Sequence, residues 1–223
     1  GGSPAAAEDV LVARDCMLAL HTGALIDIQH ISSGHSVRMV ELAKQLGAHV
    51  MAEVTPHHFS LDETAVLKHG TLAKMNPPLR TLEDKQEILR GLKEGVIDII
   101  ATDHAPHSAE EKAKGLAGSL MGVVGLETAF GVLNTKLVKT GIITLEKLID
   151  MMSVKPREIF GLPGGKIEVG AQADLALLDV DKKWCVNPEN FVTMGRATPF
   201  ENWNLQGENL LTICKGEILY AAI

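Results

Sequence analysis

Residues 96–107 read Val-Ile-Asp-Ile-Ile-Ala-Thr-Asp-His-Ala-Pro-His. A mostly apolar run ends here in an aspartate, Asp103, and two histidines, His104 and His107. A short apolar run of this kind is typical of a buried strand in a parallel sheet. In α/β barrels the chemistry takes place at the C-terminal edge of such strands. The stretch therefore predicts an α/β fold with a polar site where this strand ends.

Polar side chains also follow two other predicted strands. His30 lies at the end of one, and Asn76, which precedes Pro77-Pro78, lies at the end of another. The predicted strands cover residues 25–31, 49–55, 71–76 and 96–102. Helical patterns separate them, so the sequence predicts βαβ units and a parallel sheet.

The composition changes at Gly161, where a turn cluster begins. Residues 1–160 are predicted to form barrel units, and residues 161–223, with short alternating strands, a small β-sandwich module. A closed (β/α)8 barrel needs about eight strands, roughly twice the number found here. We therefore expect the C-terminal half of a TIM-like metal-dependent hydrolase barrel, in a chain that is the C-terminal part of a larger enzyme.

Composition narrows the class of protein. The formal net charge of the 223 residues is -7, which argues against a nucleic-acid-binding or anionic-membrane surface. No apolar stretch reaches the roughly 18 residues that span a bilayer. The cysteines, Cys16, Cys185 and Cys214, form no CxxC pair, so neither a disulfide framework nor a cysteine zinc site is indicated. We expect a cytoplasmic protein.

His30 and Asp103 are candidate metal ligands. A metal-dependent hydrolase needs neutral imidazoles and carboxylates that face inward from separate strands, and these two residues fit that pattern. Asp103 could also accept the proton of an attacking water. The alternative for His30 is a hydrogen-bonded core histidine, and the alternative for Asp103 is a helix-capping carboxylate.

Other polar residues are candidates for binding. Pro77 restricts Asn76 to an extended backbone, which would aim its amide at a planar amide substrate; the alternative is a turn-forming Asn. His107, on the polar loop 104–120, could bind an anionic or carbonyl group, or simply be solvated. Adjacent side chains on an extended chain point to opposite sides, so at most one of His57 and His58 should face the site.

Several motifs occur in order along the chain. They are Asp27-Ile28-Gln29-His30-Ile31-Ser32, Glu53-Val54-Thr55-Pro56-His57-His58, Lys74-Met75-Asn76-Pro77-Pro78-Leu79-Arg80, Thr102-Asp103-His104-Ala105-Pro106-His107 and Gly125-Leu126-Glu127-Thr128. Together they closely resemble the bacterial class I dihydroorotases of the amidohydrolase superfamily. The Asn-Pro-Pro-Leu-Arg and Asp-His-Ala-Pro-His segments are the specific part of this resemblance.

The resemblance implies the reversible cyclisation of N-carbamoyl-L-aspartate to L-dihydroorotate, a step of pyrimidine biosynthesis. It implies one or two zinc ions, with His30 as the ligand from the sixth barrel strand and Asp103 as the ligand from the eighth. Asp103 would also be the general acid/base, and Asn76 and His107 would contact the substrate. It gives His57 and His58 no ligand role.

The family's His-x-His-x-Arg motif, its bridging Asp or carboxylated Lys and its other ligand His are absent from this chain. We therefore expect the chain to be inactive alone. We also expect the complete enzyme to be a homo-oligomer. Two alternatives remain open: another cyclic amidase, such as a hydantoinase or allantoinase, and a non-catalytic dihydroorotase-like subunit of an aspartate transcarbamoylase complex. The presence of His30 and Asp103 argues against the second.

Overall fold

The computed structural model describes residues 3–222. Contacts divide the chain into two compact units. The first combines the residues up to Glu127 with Asn187–Glu201, and the second combines Thr128–Val186 with the residues from Asn202 onward. The boundaries of these units fall at other positions than residue 160. The predicted domain boundary at residue 160 therefore stays a prediction.

A parallel sheet lies at the centre of the first unit. Its three strands are β1 (Ile26–Ile28), β2 (Val50–Val54) and β3 (Ile99–Ile100), in the order β1-β2-β3. Both pairings are parallel. The predictions of strands over 25–31, 49–55 and 96–102 are confirmed, although each observed strand is shorter than predicted.

The predicted strand over residues 71–76 is wrong. Gly70–Ala73 is a 3₁₀ helix, and residues 74–76 belong to no strand. The carbonyl of Lys74 instead accepts hydrogen bonds from the N–H of Gly122 and from the Lys112 ammonium group. Because the carbonyl of Lys74 already has hydrogen-bond partners in the loop, it does not require a neighbouring strand to satisfy it.

Helices of the first unit surround the sheet. They are α1 (Ala5–Thr22), α2 (Gly34–Gln45), α3 (Pro56–Ser60), α4 (Thr64–His69), α5 (Leu82–Glu94), α6 (Ala109–Lys112) and α7 (Gly115–Gly118), and α8 (Leu126–Leu133) begins in this unit. A capping box between Thr81 and Asp84 starts α5, and Gly95, with φ 78°, ends it. Both features agree with the sequence pattern.

The helices pack closely on the apolar side of α2. Val37 and Val40 of α2 and Ile88 and Leu92 of α5 are fully buried. Gly91 of α5 approaches α2 so closely that a Cβ atom there would lie 2.8 Å from Cγ1 of Val37. This packing anchors both helices against the strands whose ends carry the polar residues.

The second unit contains an antiparallel sheet. Its strands are β4 (Leu175–Cys185), β5 (Asn204–Cys214) and β6 (Glu217–Ala221), in the order β4-β5-β6. Its helices are α9 (Leu145–Ile149) and α10 (Lys155–Phe160), with π-helical turns over Asn134–Val138 and Asp150–Val154. The described strands of this unit form a single sheet, so the sandwich stays a prediction. Within residues 3–222, no helix is both long and apolar enough to cross a membrane.

Candidate active site

The C-terminal ends of β1, β2 and β3 meet at one edge of the sheet, because the three strands are parallel. His30 follows β1 and Asp103 follows β3. Both have positive φ, 38° for His30 and 47° for Asp103. This left-handed conformation is uncommon outside glycine and tends to occur at functional sites. The chain thus turns sharply at each of the two residues that the sequence singled out.

Glu53, on β2, is a site residue that sequence analysis missed. Its side chain is 9% exposed, and Oε1 accepts a hydrogen bond of 3.1 Å from the backbone N–H of His30. Burial raises the pKa of Glu53, and the neighbouring carboxylates of Asp27 and Asp103 raise it further. The available signal was a single charged residue within an otherwise apolar strand.

Two imidazole nitrogens at this edge are buried without a hydrogen-bond partner among the described residues. They are Nδ1 of His30 and Nε2 of His57. Burial lowers the pKa of His57 well below its ordinary value, and the nearby His58 and His30 lower it further. His57 is therefore neutral near pH 7, which is the state in which imidazole binds metal ions.

His58 has both ring nitrogens occupied. Nδ1 lies 2.8 Å from Oγ1 of Thr55, and Nε2 lies 2.9 Å from the carbonyl oxygen of Pro77. Burial lowers the pKa of His58 to about 4. The two histidines lie in the first turn of α3, capped by Thr55, and not on an extended chain as the sequence reasoning assumed. Of these two histidines, His57 alone has a buried ring nitrogen, Nε2, without a hydrogen-bond partner among the described residues.

Two carboxylates complete the polar edge. Burial raises the pKa of Asp103, and His30 lies near enough to oppose that rise. Both carboxylate oxygens of Asp27, on β1, are buried without a partner among residues 3–222. The pKa of Asp27 is raised by burial and then by Asp98, and His30 again opposes the rise. His30 therefore lowers the pKa of both carboxyl groups, those of Asp27 and Asp103.

A salt-bridged network supports the turn after His30. Oε1 of Glu8 accepts hydrogen bonds of 2.9 Å from the backbone N–H groups of Ser32 and Ser33. Nε of Arg80 donates to Oγ of Ser32 at 3.1 Å, and Arg80 also pairs with Glu8. The network ties α1 to the loop that carries His30.

Among residues 3–222, no hydrogen bond joins the side chain of Asn76 or of His107, the predicted substrate contacts, to His30, Glu53 or Asp103. The Asn76 side chain is exposed. Nε2 of His107 donates to the carbonyl oxygen of Met121 at 3.0 Å, and Nδ1 lies 3.5 Å from Oε2 of Glu111. Their roles toward a substrate remain predictions.

The loop 104–120 contains two short helices and is fastened at defined points. Nδ1 of His104 accepts hydrogen bonds from the N–H groups of Gly125 and Leu126, at 3.1 and 3.3 Å. The buried ammonium group of Lys112 donates to the carbonyls of Lys74, Leu120 and Gly122. The loop is thus an anchored structure around the end of β3.

The donor types at this edge fit part of a zinc site. Zinc takes imidazole nitrogen and carboxylate oxygen as ligands, and the unpartnered nitrogens of His30 and His57 lie at the same edge as Asp103. Within residues 3–222, no group of three or more His, Cys, Asp or Glu side chains is arranged to hold a metal ion. The described residues therefore supply donors but no complete metal cage.

The chain belongs to the amidohydrolase family, whose sequence profile matches residues 13–219. Within that family it is similar to curated dihydroorotases. It is 51% identical over 221 residues to the dihydroorotase of Clostridioides difficile (strain 630), with 99% of this chain and 52% of that protein covered. It is 46% identical over 219 residues to the dihydroorotase of Bacillus caldolyticus, with 98% and 51% covered. The chain spans about half the length of these relatives.

Solved structures with the same fold include hydantoinases and dihydropyrimidinases. The L-hydantoinase (dihydropyrimidinase) of Arthrobacter aurescens superposes with a TM-score of 0.92 at 28% identity, over 98% of this chain and 50% of that one. The dihydropyrimidinase of Brevibacillus agri NCHU1002 gives 0.91 at 25% identity, over 98% and 49%. The chain therefore has an amidohydrolase fold, with a parallel and an antiparallel sheet.

Proposed function

We propose that this chain carries part of the active site of a zinc-dependent dihydroorotase. The enzyme would interconvert N-carbamoyl-L-aspartate and L-dihydroorotate. The observation that carries the proposal is the 46–51% identity to dihydroorotases over nearly the whole chain, joined to ionisable groups at the strand ends where such chemistry occurs.

The chain would be the C-terminal half of a (β/α)8 barrel. Its three parallel strands would belong to that barrel, and the open edge of β1 would pair with another strand of the barrel, since an open edge is otherwise a template for association. The missing half would supply the remaining zinc ligands and the arginine that binds the substrate carboxylate.

His30 and Asp103 would contribute ligands to the metal ion, as the sequence predicts. The described residues offer no third ligand arranged with them, so the other half of the barrel would complete the site. Bound zinc supplies a Lewis acid, which lowers the pKa of water toward ~7 and polarises the ring carbonyl.

The side chains of this chain would do the remaining work. Asp103 accepts the proton of the attacking water and passes it to the leaving ring nitrogen, as a general acid/base. Asn76 hydrogen-bonds the planar amide of the substrate, and His107 contacts its anionic group, which requires that Nε2 leave the carbonyl of Met121. Glu53 keeps the backbone of His30 in place.

A hydantoinase is the second candidate, because solved structures that share the fold include hydantoinases. The structural similarity is high, with a TM-score of 0.92, but the identity is only 28%, against 51% for a dihydroorotase. Side chains, not the shared fold, determine the substrate, so the closer sequence similarity supports dihydroorotase.

The test uses a chimera in which residues 1–223 replace the matching half of the Clostridioides difficile dihydroorotase; we call it the reconstituted enzyme. We expect zinc-dependent hydrolysis of dihydroorotate that far exceeds turnover of hydantoin or allantoin. Preferred turnover of hydantoin would support the second candidate. Light scattering on the same sample tests the expected homo-oligomer, and mixing with aspartate transcarbamoylase tests that association.

A further inference from the structure

His58 connects two parts of the site that the sequence separates by some twenty residues. Its ring lies between Thr55, at the start of α3, and Pro77, next to Asn76. The residue is 3% exposed. One buried imidazole thus touches both the helix that carries His57 and the segment that carries Asn76.

The hydrogen bonds determine which nitrogen carries the proton. The carbonyl oxygen of Pro77 can only accept, so Nε2 of His58 must be the donor in the 2.9 Å contact. In the neutral ring Nδ1 is then an acceptor, and it receives the hydroxyl proton of Thr55 at 2.8 Å. The Thr55 hydroxyl in turn accepts from the backbone N–H of His58 at 3.3 Å and caps α3.

We infer that His58 is a positioning residue, whose ring fixes the Asn76-Pro77 segment relative to α3 through the Nε2–H to Pro77 bond. The inference rests on the proposed function for the role of Asn76, but the bond itself does not. A residue that only filled space would be replaceable by any side chain of similar size, whereas a positioning residue needs a donor at the place of Nε2.

Two amide variants separate these possibilities. In His58→Gln the amide nitrogen can reach the place of Nε2 and donate to Pro77. In His58→Asn the shorter side chain can still meet Thr55 but cannot reach Pro77. The two variants therefore lose opposite bonds: His58→Asn keeps the contact with Thr55 and loses the one to Pro77, and His58→Gln does the reverse.

The first measurement is hydrogen exchange of the purified chain. We expect amides within residues 74–80 to exchange about fivefold faster in His58→Asn than in the unsubstituted chain, the effect of one net hydrogen bond, with His58→Gln close to the unsubstituted chain. Equal exchange in the two variants would overturn the inference. This readout requires no enzyme activity.

The second measurement is steady-state kinetics of the reconstituted enzyme. His58→Asn should raise KM for dihydroorotate about fivefold with zinc content unchanged, and His58→Gln should restore it. Equal KM values would contradict the inference, whereas absence of turnover in the unsubstituted enzyme would count against the proposed function alone. Should His58→Asn not fold, ¹⁵N NMR of the unsubstituted chain decides, since a proton on Nδ1 instead of Nε2 would refute the assignment.

Discussion

The carboxylate of Glu53 accepts a hydrogen bond of 3.1 Å from the backbone N–H of His30. The bond links β2 to the turn that leaves β1, at a position where His30 has φ 38°. The Glu53 side chain on β2 thus supports the unusual backbone conformation of His30, which follows the neighbouring strand β1. The imidazole of His30 lies near enough to Asp103 to lower the pKa of that carboxyl group, against the rise caused by burial.

Glu53→Ala should destabilise the chain by about 1–3 kcal/mol, because it leaves the partly buried N–H of His30 unpaired. Glu53→Gln keeps an acceptor of the same shape and should lose less. Urea unfolding of the two variants measures the difference in unfolding free energy. Equal loss in both would show that the charge of Glu53, and not its hydrogen bond, supports the turn.

Asp103→Asn should lower kcat of the reconstituted enzyme by at least about 10²-fold, the low end for loss of a general acid/base. The amide has nearly the same shape but cannot take up the proton. Asp15→Asn, on the exposed side of α1, is the matched control and should leave kcat unchanged. Near-normal turnover by Asp103→Asn would remove Asp103 from the mechanism.

His30→Ala should weaken zinc binding by the reconstituted enzyme at least about tenfold, because loss of a metal ligand should cost no less than loss of a residue that supports a ligand. Competition with a chromophoric chelator measures the affinity. His49→Ala removes an exposed histidine and should leave zinc affinity unchanged. Unchanged affinity in His30→Ala would disprove the ligand role.

Lys112 should give the chain a stability that rises with pH in the alkaline range. Burial, and then the nearby Lys74, lowers the pKa of Lys112 from 10.5 to about 8. Between these two values the unfolded chain holds the proton more tightly than the folded chain, so stability increases as pH rises from about 8 to 10.5. Lys112→Met should remove this contribution. Urea unfolding at several pH values checks the slope, and identical slopes would refute the shift.

Sequence patterns predicted the parallel strands and the polar residues at their ends because periodicity and burial are local properties. His30 and Asp103 stood out as ionisable residues at the ends of apolar runs. The strand over 71–76 was wrong because its backbone partner, Gly122, is distant in the chain. Glu53 was missed because its partner, the His30 N–H, lies in the turn after a neighbouring strand.

His57 and His58 show the same limit at the scale of one turn. The sequence allows at most one of them to face the site but does not say which. The structure distinguishes them through Thr55 and Pro77, which occupy both nitrogens of His58 and leave Nε2 of His57 unpartnered. Such a difference depends on tertiary contacts that no local pattern contains.

The most direct test of the central claim is dihydroorotate hydrolysis by the isolated chain and by the reconstituted enzyme, each with and without zinc. A catalytic zinc site needs about three protein ligands. The resemblance to dihydroorotases implies that some of these ligands come from the other half of the enzyme. We predict no appreciable turnover by the chain alone and zinc-dependent turnover by the reconstituted enzyme. Robust hydrolysis by the chain alone, or a folded, zinc-loaded chimera that leaves dihydroorotate intact, would contradict the account.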